Sequence, residues 1–191
     1  EVWDVGRNSH KVSIESKSSK DMYLFVSSAG VRSDTEYKYG AESVWVKREF
    51  VNADGSLFRP DSHKLGDVVY IRLTVENLTK AAVHELALVD HIPAGWEIEL
   101  PGMGGTTINP NLYTTKKWSM DHFNMRDAQL EVFGDLKPAQ KAQYIYSARA
   151  VTAGEFILPP VEIEAMYDPT VWSRQAGEPI VIKGPWDDSL L

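Results

Sequence analysis

Val68-Val-Tyr-Ile-Arg-Leu-Thr-Val-Glu76 alternates without interruption. Val69, Ile71, Leu73 and Val75 fall on one side; Tyr70, Arg72, Thr74 and Glu76 fall on the other. That is the period-two pattern of a strand with one face on a core and one toward water. Working outward, Ser43–Val51 reads as a strand with mixed faces, and Ala87–Ile92 and Trp96–Leu100 flank a Pro93-Ala-Gly95 turn. Gln129–Phe133, Gln143–Ala150, Gly154–Leu158, Val161–Ala165 and Pro179–Lys183 continue the series. Turn chemistry separates the runs: Asn52-Ala-Asp-Gly55, Asn77-Leu-Thr-Lys80, Asp135-Leu-Lys-Pro138 and Thr152-Ala-Gly154. Many short strands punctuated this way predict an all-β fold, an antiparallel sandwich or barrel. No sustained 3.6-residue apolar stripe occurs, and the one place for a short helical turn is Ser119–Asp127.

The first part has a different texture. Lys11–Glu15 and Met22–Ser27 read as two strands joined by the polar loop Ser16–Asp21, and Ser33–Gly40 reads as a linker. Two strands do not make a stable unit alone. Residues 1–38 are therefore expected to close a preceding domain or to pair onto the main body, residues 39–191. The chain starts at Glu1 without an initiating Met, inside strand-like sequence. We expect a fragment, or a processed chain, of a longer protein.

Composition narrows the function classes. A net charge of −7, from 27 acidic against 20 basic residues, argues against a nucleic-acid partner, which needs a positive surface. With no cysteine, the chain itself builds no disulfide, zinc–thiolate site or cysteine nucleophile. No run of about 18 apolar residues exists to form a spanning helix.

Single motifs add little chemistry. Asp90 and His91 are neighbours, so in a strand they point to opposite faces, and no Gly-x-Ser-x-Gly elbow accompanies them. Asn52-Ala-Asp-Gly-Ser56 lacks the closing Glu of a calcium loop, since His63 stands there. Met120, His122 and Met125 make a thin soft-ligand set, and gap filling is the ordinary role of Met. Asn77-Leu-Thr79 matches a glycosylation sequon. No cofactor, metal or enzymatic activity is expected. Leu158-Pro-Pro160 removes two ladder donors, so a sheet edge or break falls there; it either protects an edge or aims the Val161 strand. Met166-Tyr-Asp-Pro169, taken bare, is a strand-end turn with a buried Tyr. Trp172 and Trp186 flank the last strand in polar surroundings and are candidate interface aromatics.

Three longer stretches carry a resemblance: Val44–Gly55 followed by Leu65–Val75, Leu88–Ile98, and Arg149-Ala-Val-Thr-Ala-Gly-Glu-Phe-Ile-Leu-Pro-Pro-Val-Glu-Ile-Glu-Ala-Met-Tyr-Asp-Pro169. With Met125-Arg-Asp127, they resemble the C-terminal end of bacterial alpha-2-macroglobulins, in order and spacing from about residue 40 to 183. Residues 1–38 resemble, less closely, the last strands of the preceding CUB-type domain. The resemblance implies that residues 39–191 are the C-terminal macroglobulin-like domain, a fibronectin-type β-sandwich. It implies a parent chain that is a periplasmic protease trap, with any inner-membrane anchor upstream.

In members with a thioester, a protease cuts a bait segment, and the exposed thioester then bonds to it. The last domain shields the bond beforehand, and the tyrosine of the Met-Tyr-Asp-Pro motif points at it. Here that residue is Tyr167, beside Met166 and the Asp168-Pro169 turn. The implied partners are other domains of the same chain and, through the whole protein, target proteases. A second subgroup has no thioester and works within a periplasmic or inner-membrane multi-protein assembly; the Tyr167 motif does not separate the two. A reading from another class is an adhesin-type sandwich that binds an external partner.

Overall fold

The computed structural model describes residues 39–58, 63–100, 106–126 and 128–185. These lie in one compact unit, Tyr37–Leu191. The expectations for residues 1–38 and for Trp186 lie outside the described residues.

The described residues hold thirteen strands: β1 (Gly40–Glu42), β2 (Val44–Val51), β3 (His63–Lys64), β4 (Val68–Asn77), β5 (Val83–His91), β6 (Trp96–Ile98), β7 (His122–Arg126), β8 (Gln129–Leu136), β9 (Lys141–Ala150), β10 (Gly154–Ile157), β11 (Val161–Ala165), β12 (Asp168–Gln175) and β13 (Pro179–Lys183). They form a six-stranded sheet in the order β1-β12-β11-β5-β8-β7, a four-stranded sheet β2-β4-β9-β6 and a three-stranded sheet β10-β13-β3. Among these strands every strand-to-strand pairing is antiparallel except β3 with β13. The expected antiparallel β-sandwich is the observed architecture. The single parallel pair arises because the short β3 joins β13 at the sheet's edge, through His63 opposite Ile182.

The core lies between the two larger sheets. Val44, Val46 and Phe50 of β2, Ile71 and Leu73 of β4, Leu86 and Leu88 of β5, Leu130 and Val132 of β8 and Ile163 of β11 share one buried cluster. Ile180 and Ile182 of the small sheet join it.

Two local expectations differ from the structure. The Ser119–Asp127 stretch holds β7, not a helical turn: His122–Arg126 pair with β8 along its free edge. The sole helix among the described residues is a 3-10 turn at Pro110–Leu112. In addition, the second face of β4 is not solvated, since Tyr70, Arg72 and Thr74 are buried as well. The segment after β6 lies over that face, where Leu112 packs with Val51, Tyr70 and Ile145 in a second apolar cluster.

Gln143 of β9 ties this covering segment down. Its Oε1 accepts from Thr114 N at 2.9 Å, and its Nε2 donates to Thr74 and Thr114 Oγ1 at 3.0 Å each. Buried amides satisfied on both ends remove the desolvation cost that an unpaired one would carry.

The four-stranded sheet ends at β2, whose outer backbone is met by side chains of the other sheet. Ser173 Oγ accepts from Val46 N, and Gln175 Oε1 accepts from Arg48 N. β12 thereby braces the open edge of one sheet while serving as a strand of the other.

Candidate functional site

β11 and β12 form a hairpin that projects Met166 and Tyr167. Ala165 pairs with Asp168, leaving those two residues as the turn. The register then slips, with Glu164 opposite Trp172, so Pro169, Thr170 and Val171 fall out of step with β11. Pro169 suits that irregularity because it has no N–H to give a ladder. Asp168 folds back on the bulge: its Oδ1 accepts from Thr170 N at 3.0 Å and Thr170 Oγ1 at 2.7 Å. The Thr170 bonds hold the Asp168 carboxyl below its ordinary pKa.

Tyr167 is 83% exposed and Met166 45%. The bare reading of a strand-end turn is correct as to place, but the Tyr is not buried in this unit. A two-residue turn carries both side chains beyond the last cross-strand pair. An exposed phenol beside an exposed thioether offers apolar area with a polar end, the composition of an interface anchor.

The tip is tied at one further point. Met166 N donates to Glu85 O at 2.9 Å, in the neighbouring strand β5. At the root of the hairpin, Leu158-Pro-Pro160 forms the break between β10 and β11, and Leu158 N donates to Glu178 O at 2.9 Å. Arg48 Nη2 donates to Pro159 O at 2.6 Å. The same guanidinium pairs through Nη1 with Asp90, whose other oxygen accepts from Tyr146 Oη at 2.7 Å. This charged network lies inside the sandwich, with the Arg48 and Asp90 side chains 2% and 0% exposed. Burial first, then the adjacent Asp90 carboxylate, pushes the Tyr146 phenol well above its ordinary pKa.

The remaining sequence candidates find ordinary places. Trp172 lines a shallow groove on the outer face of the six-stranded sheet, with Glu162, Glu164, Pro169 and Arg174. Asp90 is spent on Arg48 and Tyr146 while His91 is exposed on the other face, so the two do not form a catalytic pair. Met120 and Met125 pack against the core. Among the described residues, no three His, Cys, Asp or Glu side chains gather as a metal site. Asn77 is buried, with its Nδ2 on the carbonyls of Ala81, Leu136 and Lys137, so the sequon offers no accessible amide.

Sequence reasoning missed the Arg48–Asp90–Tyr146 network, although a signal was present. Arg48 stands in phase with Val44, Val46 and Phe50, and Asp90 in phase with Leu86 and Leu88. A charge in step with the apolar face of a strand needs a buried counter-charge.

Known proteins share this sequence and fold. The family model for the bacterial alpha-2-macroglobulin MG10 domain matches residues 44–170. Alpha-2-macroglobulin of Rickettsia conorii is 26% identical over 163 residues, which span 85% of this chain and 8% of that protein. Alpha-2-macroglobulin of Escherichia coli is 28% identical over 149 residues, 73% of this chain and 9% of its own. The structure of Escherichia coli alpha-2-macroglobulin activated by porcine elastase superposes with a TM-score of 0.67 at 26% identity, over 78% of this chain and 14% of that one. The chain thus spans less than a tenth of the length of these two relatives. The match to the MG10 model runs from the start of β2 through the Tyr167 hairpin, and on it the chain belongs to the bacterial alpha-2-macroglobulin family.

Proposed function

We propose that this domain acts by contact rather than catalysis, as a shielding module within a periplasmic protease trap. Its working element is the Met166-Tyr167 tip, seated against another domain of the same parent chain and covering the reactive thioester in the resting state. The observation that carries this reading is the 83% exposure of Tyr167 on a hairpin fixed at both tip and root. An aromatic side chain presented on a stiff arm is ready-made for a dry contact, and little ordering entropy is lost when it docks. A phenol in such a contact excludes water with its ring and keeps a hydroxyl for one partner. Activation by a protease, the state in which the Escherichia coli relative was solved, would then withdraw the tip and open the bond to attack.

The test is methylamine incorporation in the full parent chain, read as a mass shift without added protease. Tyr167→Gly is expected to speed incorporation strongly and Tyr167→Phe more weakly, because Phe retains the ring. Equal rates in all three proteins would refute the shield. A parent chain that never incorporates methylamine, even after protease treatment, would place the domain in the thioester-free subgroup, with Tyr167 as a packing residue of an assembly.

A further inference from the structure

Strand β5 carries an irregularity beside the Tyr167 hairpin. Val83 pairs with Leu136 of β8 and Leu86 with Gly134, so His84 and Glu85 together oppose the single residue Asp135. This is a β-bulge, and Glu85 takes a left-handed backbone with φ of 55°. A non-glycine residue held there is strained and persists only where its surroundings fix it. Asp135 supplies that fixation from the facing strand. Its Oδ1 accepts from Glu85 N at 3.0 Å, replacing the ladder bond that the bulge removes. Its Oδ2 lies 2.6 Å from His84 Nδ1. The Asp135 backbone is itself anchored, since the buried Trp118 donates through Nε1 to its carbonyl at 3.0 Å.

The consequence reaches the tip. Glu85, the residue held in the bulge, also carries the carbonyl that accepts from Met166 N, one step past the Ala165–Leu86 pair of the β11–β5 register. We infer that Asp135 is a positioning residue for Tyr167: it locks the β5 bulge, the bulge presents Glu85 O, and Glu85 O fixes the turn that projects the tyrosine. This inference rests on the contact reading of Tyr167 for its functional meaning, but not for its structural content. The electrostatics agree, since the His84 ring first and the Glu85 N–H next hold the Asp135 carboxyl below the usual carboxylate range.

The test is amide hydrogen exchange of this chain, with Met166 and Glu85 as reporters and the β11–β12 ladder amides of Ile163 and Ser173 as internal controls. Asp135 has 50% of its side chain exposed, so Asp135→Ala opens no core cavity. We expect Asp135→Ala to speed Met166 exchange at least about fivefold, the factor given by losing one hydrogen bond of about 1 kcal/mol, while the ladder amides keep their protection. Asp135→Asn keeps an oxygen for Glu85 N and should restore protection, although it gives up the carboxylate's contact with His84 Nδ1. Unchanged Met166 exchange in Asp135→Ala would overturn the inference and leave the shield untouched. An equal loss at Met166 and across the ladder would also overturn it, since Asp135 would then be a general stabiliser. If Met166 alone is deprotected but Tyr167→Gly leaves methylamine incorporation unchanged, the positioning stands and the shield falls.

Discussion

Removing Asp90 should damage this domain more than removing most of its apolar residues. The Asp90 carboxylate is fully buried between the sheets and accepts from Arg48 and Tyr146. Asp90→Ala leaves a guanidinium that is 2% exposed with the Pro159 carbonyl and the Phe50 ring but no counter-charge, and takes from the buried Tyr146 phenol its carboxylate acceptor. Breaking a buried ion pair by deleting one member costs about 3–5 kcal/mol, because the surviving charge stays desolvated. For a domain of this size that lowers Tm by roughly 6–20 °C. Replacing the whole network by apolar groups, as Arg48→Met, Asp90→Leu and Tyr146→Phe together, strands no charge. It should cost less than Asp90→Ala alone. The assay is urea unfolding of the wild type, the single variants and the triple variant, with the coupling taken from the cycle. A single-variant cost below about 1 kcal/mol, or costs that simply add, would refute this account and show the pair to be solvated in practice.

Two further expectations follow from close packing and from titration. A Cβ on Gly177 would sit 1.8 Å from Leu158 O, so Gly177→Ala must push the Leu158-Pro159 segment aside at a cost of about 1–3 kcal/mol or more; an unchanged unfolding midpoint would count against this approach of the backbone. Stability should be flat across neutral pH and fall on both sides, as urea midpoints from pH 3 to 12 will show. On the acid side, burial raises Glu99 but bonds from Thr106 and Arg149 outweigh it and leave its carboxyl lowered; Asp135 is lowered by His84 and Glu85. A lowered carboxylate stabilises the fold above its unfolded pKa of about 4, and that contribution is lost as pH falls through the folded value. On the alkaline side, burial first and Tyr113 next push Tyr144 up to about 12. The unfolded phenol ionises near 10, so stability falls as pH rises from there toward 12. A midpoint that held constant to pH 12 would show Tyr144 to be solvated.

The legible parts of this fold were those in which chemistry and neighbours along the chain suffice. The alternation of Val69, Ile71, Leu73 and Val75 gives a strand wherever it lies, and Asn52-Ala-Asp-Gly55 makes its own turn, with Gly55 N donating to Asn52 O. β7 was hidden because His122–Arg126 is mostly exposed and polar; it is a strand only because β8 offers it a ladder. The solvated face expected for β4 was wrong for a similar reason. What buries Tyr70 and Thr74 is a segment some 40 residues away in sequence that has no period of its own, held by the Gln143 amide, by Arg72 on the Leu112 carbonyl and by backbone bonds to β9.

Tyr167 shows the opposite case. Its neighbourhood of Ile163, Ala165 and Met166 reads as apolar strand, and an aromatic there reads as core. The register of β11 on β12 instead carries it past the last pair and leaves it bare. Tyr167 and the adjoining Met166 leave apolar area with one polar end uncovered at the tip, the composition of a contact site. On the contact proposed above, a neighbouring domain would cover that area. The same residue that contributes little to the stability of residues 39–191 should then matter most when such a domain is docked on it.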